Sequence, residues 1–381
     1  MIKCGYKSIN GDYIFTKTAK MVEEYKINNP NKQVLNLGVG DVNLPPPDIV
    51  CDFLKSETER FCTKSGFCGY PDERGIIELR QAISDYYKGL GSHVFADEIF
   101  VTTGAKPALG ELFEICDFKR VAIVTPTYPL YEELCCLHSV EFERVSATKE
   151  NEFPLPTQKC DAIFLCSPNN PTGAVLTYKH LERYINYAKE NGSLIIIDGA
   201  YIDFSEKYNC PYLLKNSECI VEVRSYSKNL CFTGLRCGFM VIKKKNPLHK
   251  GYEKYLSLRS NGVNAIVQRT AVCAYTKECV LQQKERVQIY RENSRLLREL
   301  FIGLGYECTL GVDVPFVVVK VNQNGEDFCK NLLFKCGVVA TPGEAFCAEK
   351  SIRFSCLVDN CVTDLAVKRM AEFLQIEKSK L

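Results

Sequence analysis

The chain has 381 residues, a formal net charge of +2 and 25% charged residues. This balance is typical of a globular protein and gives no overall field that would attract nucleic acid or an anionic membrane. The longest apolar runs are far too short to span a bilayer, and the N-terminus lacks an apolar core of signal-peptide length. We therefore expect a cytoplasmic protein without nucleic-acid or membrane partners.

Cysteine is unusually frequent, with 21 residues scattered along the whole chain. The total is odd, no pair has C-x-x-C spacing, and the four histidines lie far apart in sequence. Neither a disulfide framework nor a zinc site gains support from this pattern. We expect most of the cysteines to be small buried hydrophobes in a reducing compartment, and no metal.

The chain begins with a helix-like stretch from Thr16 to Asn28, which Pro30 follows. Apolar strand-like runs then alternate with amphipathic helical stretches. The predicted strands are Ile99–Thr102, Val121–Val124, Ala162–Cys166, Leu194–Ile197 and Cys219–Val223, and the predicted helices are Pro107–Cys116, Tyr128–His138 and Tyr178–Asn191. This alternation predicts an α/β fold, a mostly parallel sheet with helices on both faces.

The pattern changes after about residue 265. A long helical stretch from Ile266 to Leu304 is followed by the strand Pro315–Val321, a helix near Asp327–Cys336, the strand Ser351–Ser355 and a helix at Val362–Leu374. We predict a smaller α+β domain here. The predicted domains are an N-terminal arm that joins the small domain (residues 1–45), a large domain (46–260) and a small C-terminal domain (261–381).

In an open α/β sheet, ligands bind just beyond the carboxyl ends of the strands. Asp198 stands there after four apolar residues, and a carboxylate so placed needs a cation or several donors. A protonated ring nitrogen of a cofactor would serve, although a capped or salt-bridged Asp is the commoner meaning of this pattern. Lys228 follows the next strand within Ser225-Tyr-Ser227-Lys228, and Arg236 comes eight residues later.

The segment from Ser225 to Arg236 combines two kinds of chemistry. A lysine among other cations has a lowered pKa and can form a Schiff base. Serine hydroxyls and an arginine are residue types that hold a phosphate. A surface lysine among small polar residues is common, but this spacing is not.

Two loops add weaker signals. Gly104-Ala105-Lys106-Pro107 opens a helix after a strand, which leaves free backbone N–H groups for an anion, but the P-loop spacing is absent. The loop Ser167-Pro-Asn-Asn170-Pro-Thr-Gly173 is made rigid by proline and offers an amide, although it reads equally well as a structural turn.

Two side chains outside these loops are also candidates. Tyr128 could stack on a flat ring, although a lone tyrosine is usually packing. Arg353 is a charged residue in an apolar strand and matches a substrate carboxylate.

Together these segments resemble the fold-type I pyridoxal-5′-phosphate (PLP) aminotransferases of class I/II, from about residue 10 to residue 375. The resemblance implies that Lys228 carries PLP covalently and serves as general base, that Asp198 pairs with the ring nitrogen, and that Arg353 binds the substrate α-carboxylate. It also implies a homodimer, with Tyr70 reaching the partner's site. The residues expected around the cofactor are Ala105, Lys106, Tyr128, Asn170, Asp198, Tyr201, Ser225, Ser227, Lys228, Arg236, Tyr70 and Asn261.

Within that class the chain is most similar to the LL-diaminopimelate aminotransferase family. The similar motifs are Gly-Asp-Tyr13-Ile-Phe, Leu-Gly38-Val-Gly40-Asp41, Gly-Tyr70-Pro-Asp-Glu73-Arg-Gly75, Gly104-Ala-Lys106, Ser-Asn261-Gly and Tyr290-Arg-Glu-Asn293. The resemblance implies amino transfer between LL-diaminopimelate and 2-oxoglutarate, as in lysine or peptidoglycan precursor synthesis. The substrate residues it implies are Tyr13, Gly40, Tyr70, Glu73, Lys106, Tyr128, Asn170, Asn261 and Arg353.

The sequence also departs from that family. Pro107-Ala-Leu stands where an Asp usually follows Gly-Ala-Lys, the segment Thr341 to Lys350 is shortened, and the chain has no Trp. These departures leave substrate identity open. The alternatives are an aminotransferase for another amino acid and a PLP-dependent C–S lyase. A PLP-sensing transcription regulator is disfavoured, because only a short arm without a basic helix-turn-helix precedes the enzyme-like part.

Overall fold

The computed structural model describes residue 5, residues 13–309 and residues 311–378, without the side chains of residues 376–378. Gly11 and Asp12 of the N-terminal motif lie outside the described residues. The described α-helices are α1 (Ile14–Asn28), α2 (Asp48–Phe61), α3 (Ile77–Gly89), α4 (Ala105–Ile115), α5 (Leu130–His138), α6 (Tyr178–Asn191), α7 (Leu248–Arg259), α8 (Ala265–Ala271), α9 (Lys277–Gly303), α10 (Gly325–Asn331) and α11 (Asn360–Lys378). The described strands are β1 (Leu35–Asn36), β2 (Ile99–Thr102), β3 (Arg120–Thr125), β4 (Glu141–Ser146), β5 (Ala162–Cys166), β6 (Leu194–Asp198), β7 (Ile220–Ser225), β8 (Gly238–Ile242), β9 (Phe316–Lys320), β10 (Val338–Val339), β11 (Thr341–Pro342) and β12 (Ser351–Ser355).

A seven-stranded sheet in the order β2-β8-β7-β6-β5-β3-β4 forms the centre of the large domain. The strands from β7 to β4 in this order are parallel to their neighbours, whereas β8 is antiparallel to both β7 and β2. Side chains alternate between two apolar cores, with Ile163 and Leu165 on one face and Phe164 and Cys166 on the other. Because both faces are buried, the strands are continuously apolar. The predicted fold class is confirmed.

The register of the central strands determines where the site lies. Cys166 of β5 pairs with Asp198 of β6, and Asp198 pairs with Val223 of β7. The segments that leave these strands therefore emerge side by side at one edge of the sheet. That edge collects the loops that carry Asn170, Tyr201 and Lys228.

A second, three-stranded sheet has the order β11-β12-β9 and is antiparallel. Leu297 and Phe301 of α9 and Met370 of α11 belong to the apolar core that covers it. The short strand β1 pairs in parallel with β10, which ties the N-terminal segment to this C-terminal part. The predicted boundaries near residues 45 and 260 stay predictions.

The prediction of one continuous helix from Ile266 to Leu304 was wrong. α8 ends at Ala271, a 3₁₀ turn covers Val272–Tyr275, and α9 begins after Thr276. The backbone of Thr276 is extended, and its hydroxyl oxygen accepts a hydrogen bond from the backbone N–H of Cys279 at 3.3 Å. A threonine in this position caps a new helix, although the apolar periodicity continues across the break.

Other differences concern ends and edges. The predicted helix Asp327–Cys336 is the short α10 followed by a π-helical turn at Leu332–Cys336. Strands β4 and β8 were not predicted: β4 lies at the sheet edge with charged, partly exposed residues, and β8 begins two residues after Arg236. Of the twenty cysteines among the described residues, all free, ten are buried, which is fewer than the majority that we expected. In the described ranges no helix has both the length and the apolar character needed to cross a membrane.

Candidate active site

Lys228 lies three residues beyond β7, at the edge where the parallel strands end. Its amine donates a hydrogen bond to the backbone carbonyl oxygen of Gly40. Burial lowers the pKa of Lys228 to about 8, and the positive charges of Arg353 and Arg236 act in the same direction, against the negative charge of Asp41. A neutral amine, the form that attacks a carbonyl or removes a proton, is therefore accessible near neutral pH.

Hydroxyl groups and a guanidinium surround the backbone next to Lys228. The side-chain oxygen of Ser225 accepts a hydrogen bond from the backbone N–H of Ser227 at 3.1 Å. Arg236 Nη1 donates to the hydroxyl oxygen of Ser227 at 3.3 Å and to the carbonyl oxygen of Thr233 at 3.0 Å. These groups form a donor-rich pocket of the kind that binds phosphate.

The N-terminus of α4 faces the same guanidinium. Gly104 precedes the helix with a φ of +109°, and a Cβ at this position would lie 2.5 Å from Arg236 Nη2. The positive φ favours glycine at this position, and a side chain here would displace the Arg236 guanidinium from the start of the helix. No side chain caps α4, and burial together with the charge of Arg236 lowers the pKa of Lys106. Ala105 and Lys106 thus begin a helix whose positive end faces the pocket.

Asp198 ends β6 and is only 5% exposed. One carboxylate oxygen accepts a hydrogen bond from the Tyr131 hydroxyl at 2.8 Å, and the other accepts from the backbone N–H of Ala200 at 3.1 Å. Burial raises the pKa of Asp198, and no cationic side chain pairs with it among the described residues. A buried carboxylate with only two neutral donors is completed by a cation.

Aromatic side chains lie beside Gly40, the residue whose carbonyl oxygen accepts the hydrogen bond from Lys228. Tyr201 is buried, and a Cβ added to Gly40 would lie 3.8 Å from its hydroxyl oxygen and 3.2 Å from Phe316. The hydroxyl of Tyr13 donates to that of Tyr128 at 3.3 Å. The amine of Lys106 lies 4.8 Å from the centre of the Tyr13 ring. The structure thus brings α1, α4 and the loop after β3 to one pocket.

Arg353 of β12 is 1% exposed, although it carries a charge. Its Nη1 donates to the side-chain oxygen of Asn170 at 2.9 Å, and its Nη2 donates to the carbonyl oxygen of Gly38 at 2.8 Å. The rings of Phe316 and Phe346 lie 4.3 and 4.5 Å from the guanidinium carbon. Burial lowers the pKa of Arg353 to about 10, and its Nε is buried without a hydrogen-bond partner. All of these partners are neutral, so the guanidinium is suited to a carboxylate ligand.

Three of the predicted site residues lie elsewhere. Tyr70 is 85% exposed, and Glu73 and Asn261 are also exposed. The loop of Asn261 packs on the segment after Tyr70, since a Cβ at Gly262 would lie 2.8 Å from Pro71. Within the described part of the chain, none of the three contacts Lys228, Asp198 or Arg353. They form one exposed surface, which we call the Tyr70 surface.

Sequence reasoning missed the partners that hold the predicted residues. Tyr131 stands three residues after Tyr128, and in the predicted helix Tyr128–His138 this spacing places both on one face, although the observed α5 begins only at Leu130. No such sequence pattern indicated the aromatic rings that pack on Arg353. Phe316 and Phe346 flank the arginine from different segments, and only the fold brings them together.

PLP fits these residues. Its phosphate matches the pocket of Ser225, Ser227 and Arg236 at the start of α4, where the guanidinium lies close to Gly104. A protonated ring nitrogen matches Asp198, the buried carboxylate for which the described ranges contain no cationic partner. An aldehyde matches the buried amine of Lys228.

Comparison with known proteins agrees with this chemistry. The family model described as aminotransferase class I and II matches residues 32–370. LL-diaminopimelate aminotransferase of Prochlorococcus marinus (strain NATL1A) is 34% identical over 375 residues, which cover 91% of this chain and 92% of the relative. The protein of the same name from Desulfotalea psychrophila is 33% identical over 401 residues, covering 97% and 98%.

A solved structure extends the comparison to the fold. L,L-diaminopimelate aminotransferase from Chlamydomonas reinhardtii matches with a TM-score of 0.89 and 26% identity, over 97% of this chain and 98% of that one. The two relatives and the solved structure each correspond to nearly the whole chain. The chain therefore belongs to the class I and II aminotransferase family, whose members are PLP-dependent enzymes of fold type I.

Proposed function

We propose that this aminotransferase moves the amino group of LL-diaminopimelate to an oxo acid such as 2-oxoglutarate. The observation that carries the proposal is the pairing of two buried cations with complementary tasks, Lys228 with a lowered pKa and Arg353 with only neutral partners. Both substrates contain an α-carboxylate; the amino donor must lose a proton at Cα, and the oxo acid must gain one at C2. The names of the relatives direct the proposal to LL-diaminopimelate.

Each residue has a defined task in the proposal. Arg353 binds the α-carboxylate, and Asn170 holds the guanidinium in place through its side-chain oxygen. Lys228 takes the proton from Cα of the amino donor, and in the second half of the cycle it delivers a proton to C2 of the oxo-acid acceptor; its lowered pKa favours both steps. Asp198 holds the proton of the ring nitrogen. PLP bound in this site supplies an electron sink for the charge that develops at Cα.

The far end of LL-diaminopimelate carries an ammonium and a carboxylate. Lys106, beside Tyr13 in the pocket, offers a positive charge for that carboxylate. Glu73 offers a negative charge for the ammonium, but it lies on the exposed Tyr70 surface. We therefore propose a homodimer in which the Tyr70 surface of one subunit completes the site of the other. The large exposed area of Tyr70 and Phe67 next to it supports this proposal.

Two further parts of the proposal concern the cell. We propose a cytoplasmic location, supported by 21 cysteines that need a reducing compartment to stay thiols. We also propose a place in lysine or peptidoglycan precursor synthesis, because LL-diaminopimelate is a precursor of that kind.

A single-turnover assay on the PLP-loaded protein tests the substrate. LL-diaminopimelate, glutamate, aspartate and aromatic amino acids are added separately, and the change in cofactor absorbance to the pyridoxamine form is followed. Rapid conversion by LL-diaminopimelate and glutamate alone is expected. Conversion by other amino acids but not LL-diaminopimelate would refute this substrate, and release of pyruvate and thiol from cystathionine without an oxo acid would identify a lyase.

A variant of Glu73 tests recognition of the far end of the substrate in the same assay. Glu73→Gln should slow the reaction with LL-diaminopimelate, because the ammonium loses its counter-charge, and should leave the reaction with glutamate nearly unchanged. Glu78→Gln, at an exposed position of α3, is the matched control. Equal loss for both substrates would argue against a role of Glu73 at the far end.

A further inference from the structure

One turn of α9 contains Asn293, which is fully buried. Its side-chain nitrogen donates hydrogen bonds to the carbonyl oxygens of Cys356, at 3.1 Å, and Val358, at 2.7 Å. These carbonyls follow directly after β12, the strand that carries Arg353 and ends at Ser355. A single amide thus holds the backbone at the end of the arginine-bearing strand.

The same short segment is tied to the pocket from other directions. The backbone N–H of Asn43 donates to the carbonyl oxygen of Leu357 at 3.1 Å, and the N–H of Cys356 donates to the carbonyl oxygen of Pro315 at 2.8 Å. Asn43 lies three residues beyond Gly40, whose carbonyl oxygen accepts from Lys228. Residues 356–358 are therefore a junction between α9, the start of β9 and the loop beside Lys228.

The preceding residues of the same helical turn contact the other side of the site. Arg291 Nη2 donates to the carbonyl oxygen of Phe204 at 3.2 Å. The ring of Tyr290 stacks on that of Phe204 with a centroid distance of 6.0 Å, and Phe204 in turn contacts the ring of Tyr201. One turn of α9 thus supports both the segment behind Tyr201 and the segment behind Arg353.

We propose that Asn293 is a positioning residue that fixes Arg353 for the α-carboxylate of the substrate. The proposal rests on the proposed role of Arg353. The guanidinium is held by two neutral acceptors, Asn170 and Gly38. The position of the backbone at the end of β12 therefore determines how far the guanidinium reaches into the pocket. Loss of the amide leaves two buried carbonyl groups unpaired, and the backbone moves to satisfy them. Arg353 moves with that backbone.

Asn293→Ala tests the proposal in the holoenzyme. The KM for glutamate and for 2-oxoglutarate should each rise about tenfold, because a small displacement of a binding group weakens the ground state and the transition state alike. The kcat should change less than about threefold, and the absorbance of the resting holoenzyme should be unchanged, since Asn293 does not touch the cofactor pocket. Asn293→Ser retains one donor and should give a smaller rise in KM, and it replaces the alanine variant if that variant does not fold.

Two further variants separate this role from general destabilisation and from the role of Arg353. Leu297→Ala lies one helical turn away in the core of the small sheet and should lower the melting temperature while leaving KM unchanged. An unchanged KM in the Asn293 variants, or an equal rise in Leu297→Ala, would overturn the proposal. Arg353→Ala should raise the KM for both substrates; if it does and the Asn293 variants do not, the positioning role alone fails, and if it does not, the role of Arg353 itself fails.

Discussion

The two ends of the pocket are built in different ways. The end that we assign to the cofactor, consisting of Asp198, Ser225, Ser227, Lys228 and Arg236, comes from the carboxyl ends of the neighbouring strands β6 and β7 and from the segment after β7. The substrate end, consisting of Tyr13, Gly38, Gly40, Asn170 and Arg353, comes from separate parts of the chain. It needs α1, the loop after β1, the loop after β5 and the small sheet at the same time.

The two ends of the pocket also differ in their charged groups. At the cofactor end, cations and an uncapped helix start face a space suited to an anion, and Asp198 faces a space suited to a cation. At the substrate end, the buried cation Arg353 is held by neutral groups and aromatic faces. The charges at the cofactor end therefore match both a phosphate and a ring nitrogen. Arg353 at the substrate end matches only a carboxylate, so the remainder of the substrate must be recognised by neighbouring elements.

We expect the largest loss of activity from a variant that disrupts the cofactor end alone. Lys228→Ala should reduce turnover by about 10³-fold or more and abolish the visible absorbance of the covalently held cofactor, because both the attachment point and the general base are lost. Steady-state kinetics and an absorbance spectrum measure this. Lys254→Ala, an exposed position of α7, is the control and should retain full activity. Full activity in Lys228→Ala would invalidate the assignment.

The next effect tests whether the substrate end is completed by a second copy. Tyr70→Ala should lower kcat/KM by roughly 10- to 100-fold, because a binding group is missing from the partner's site. Mixed with Lys228→Ala subunits in equal amounts, it should recover about a quarter of wild-type activity, since half of the dimers are hybrids with one intact site.

Recovery requires Lys228 of one subunit and Tyr70 of the other to meet. Activity assays after subunit exchange measure it, and size-exclusion chromatography with light scattering confirms the dimer. Absence of recovery in confirmed hybrid dimers would place Tyr70 in the site of its own chain or outside both sites.

The smallest effect concerns pH. Because the pKa of Lys228 is lowered to about 8, its neutral fraction rises as the pH passes through that value. The rate at which the apoprotein captures PLP should therefore rise about tenfold between about pH 7 and pH 9. Stopped-flow absorbance measures this rate. Asp41→Asn should shift the midpoint downward, because it removes the negative charge that opposes burial. A midpoint near 10.5 would show an exposed, unperturbed lysine.

Much of the fold was predictable for physical reasons. The strands Ile99–Thr102 and Ala162–Cys166 and the helix Tyr178–Asn191 were predicted with their observed ends, because continuous apolar runs and amphipathic periodicity are strong signals. The break at Thr276 was not predicted, since a cap acts through one hydrogen bond that leaves the apolar pattern unchanged. The edge strand β4 was missed because charged side chains on its exposed positions hide the strand pattern.

The candidate site likewise has residues that the sequence indicates and contacts that only the fold creates. Asp198 and Lys228 stood out because strand ends converge in any parallel sheet, and Tyr131 could have been added from its helical spacing. The contact of Arg353 with Gly38 joins residues 315 positions apart, and no local pattern contains that information. The Tyr70 surface likewise acquires its proposed role only when a second subunit is present.

The sequence by itself determined the alternation of strands and helices, the order of the polar loops and the choice of Lys228 as the candidate reactive lysine, because these depend on local periodicity and on residues close in the chain. Only the tertiary structure decided that Asp198 has no cationic partner in the part of the chain that the structure describes, that Arg353 is buried among neutral groups and that Asn293 holds the end of the strand that carries Arg353. The physical reason is that burial and charge pairing depend on which distant segments share a space. Those two properties set the pKa of Lys228 and the ligand that the pocket can accept.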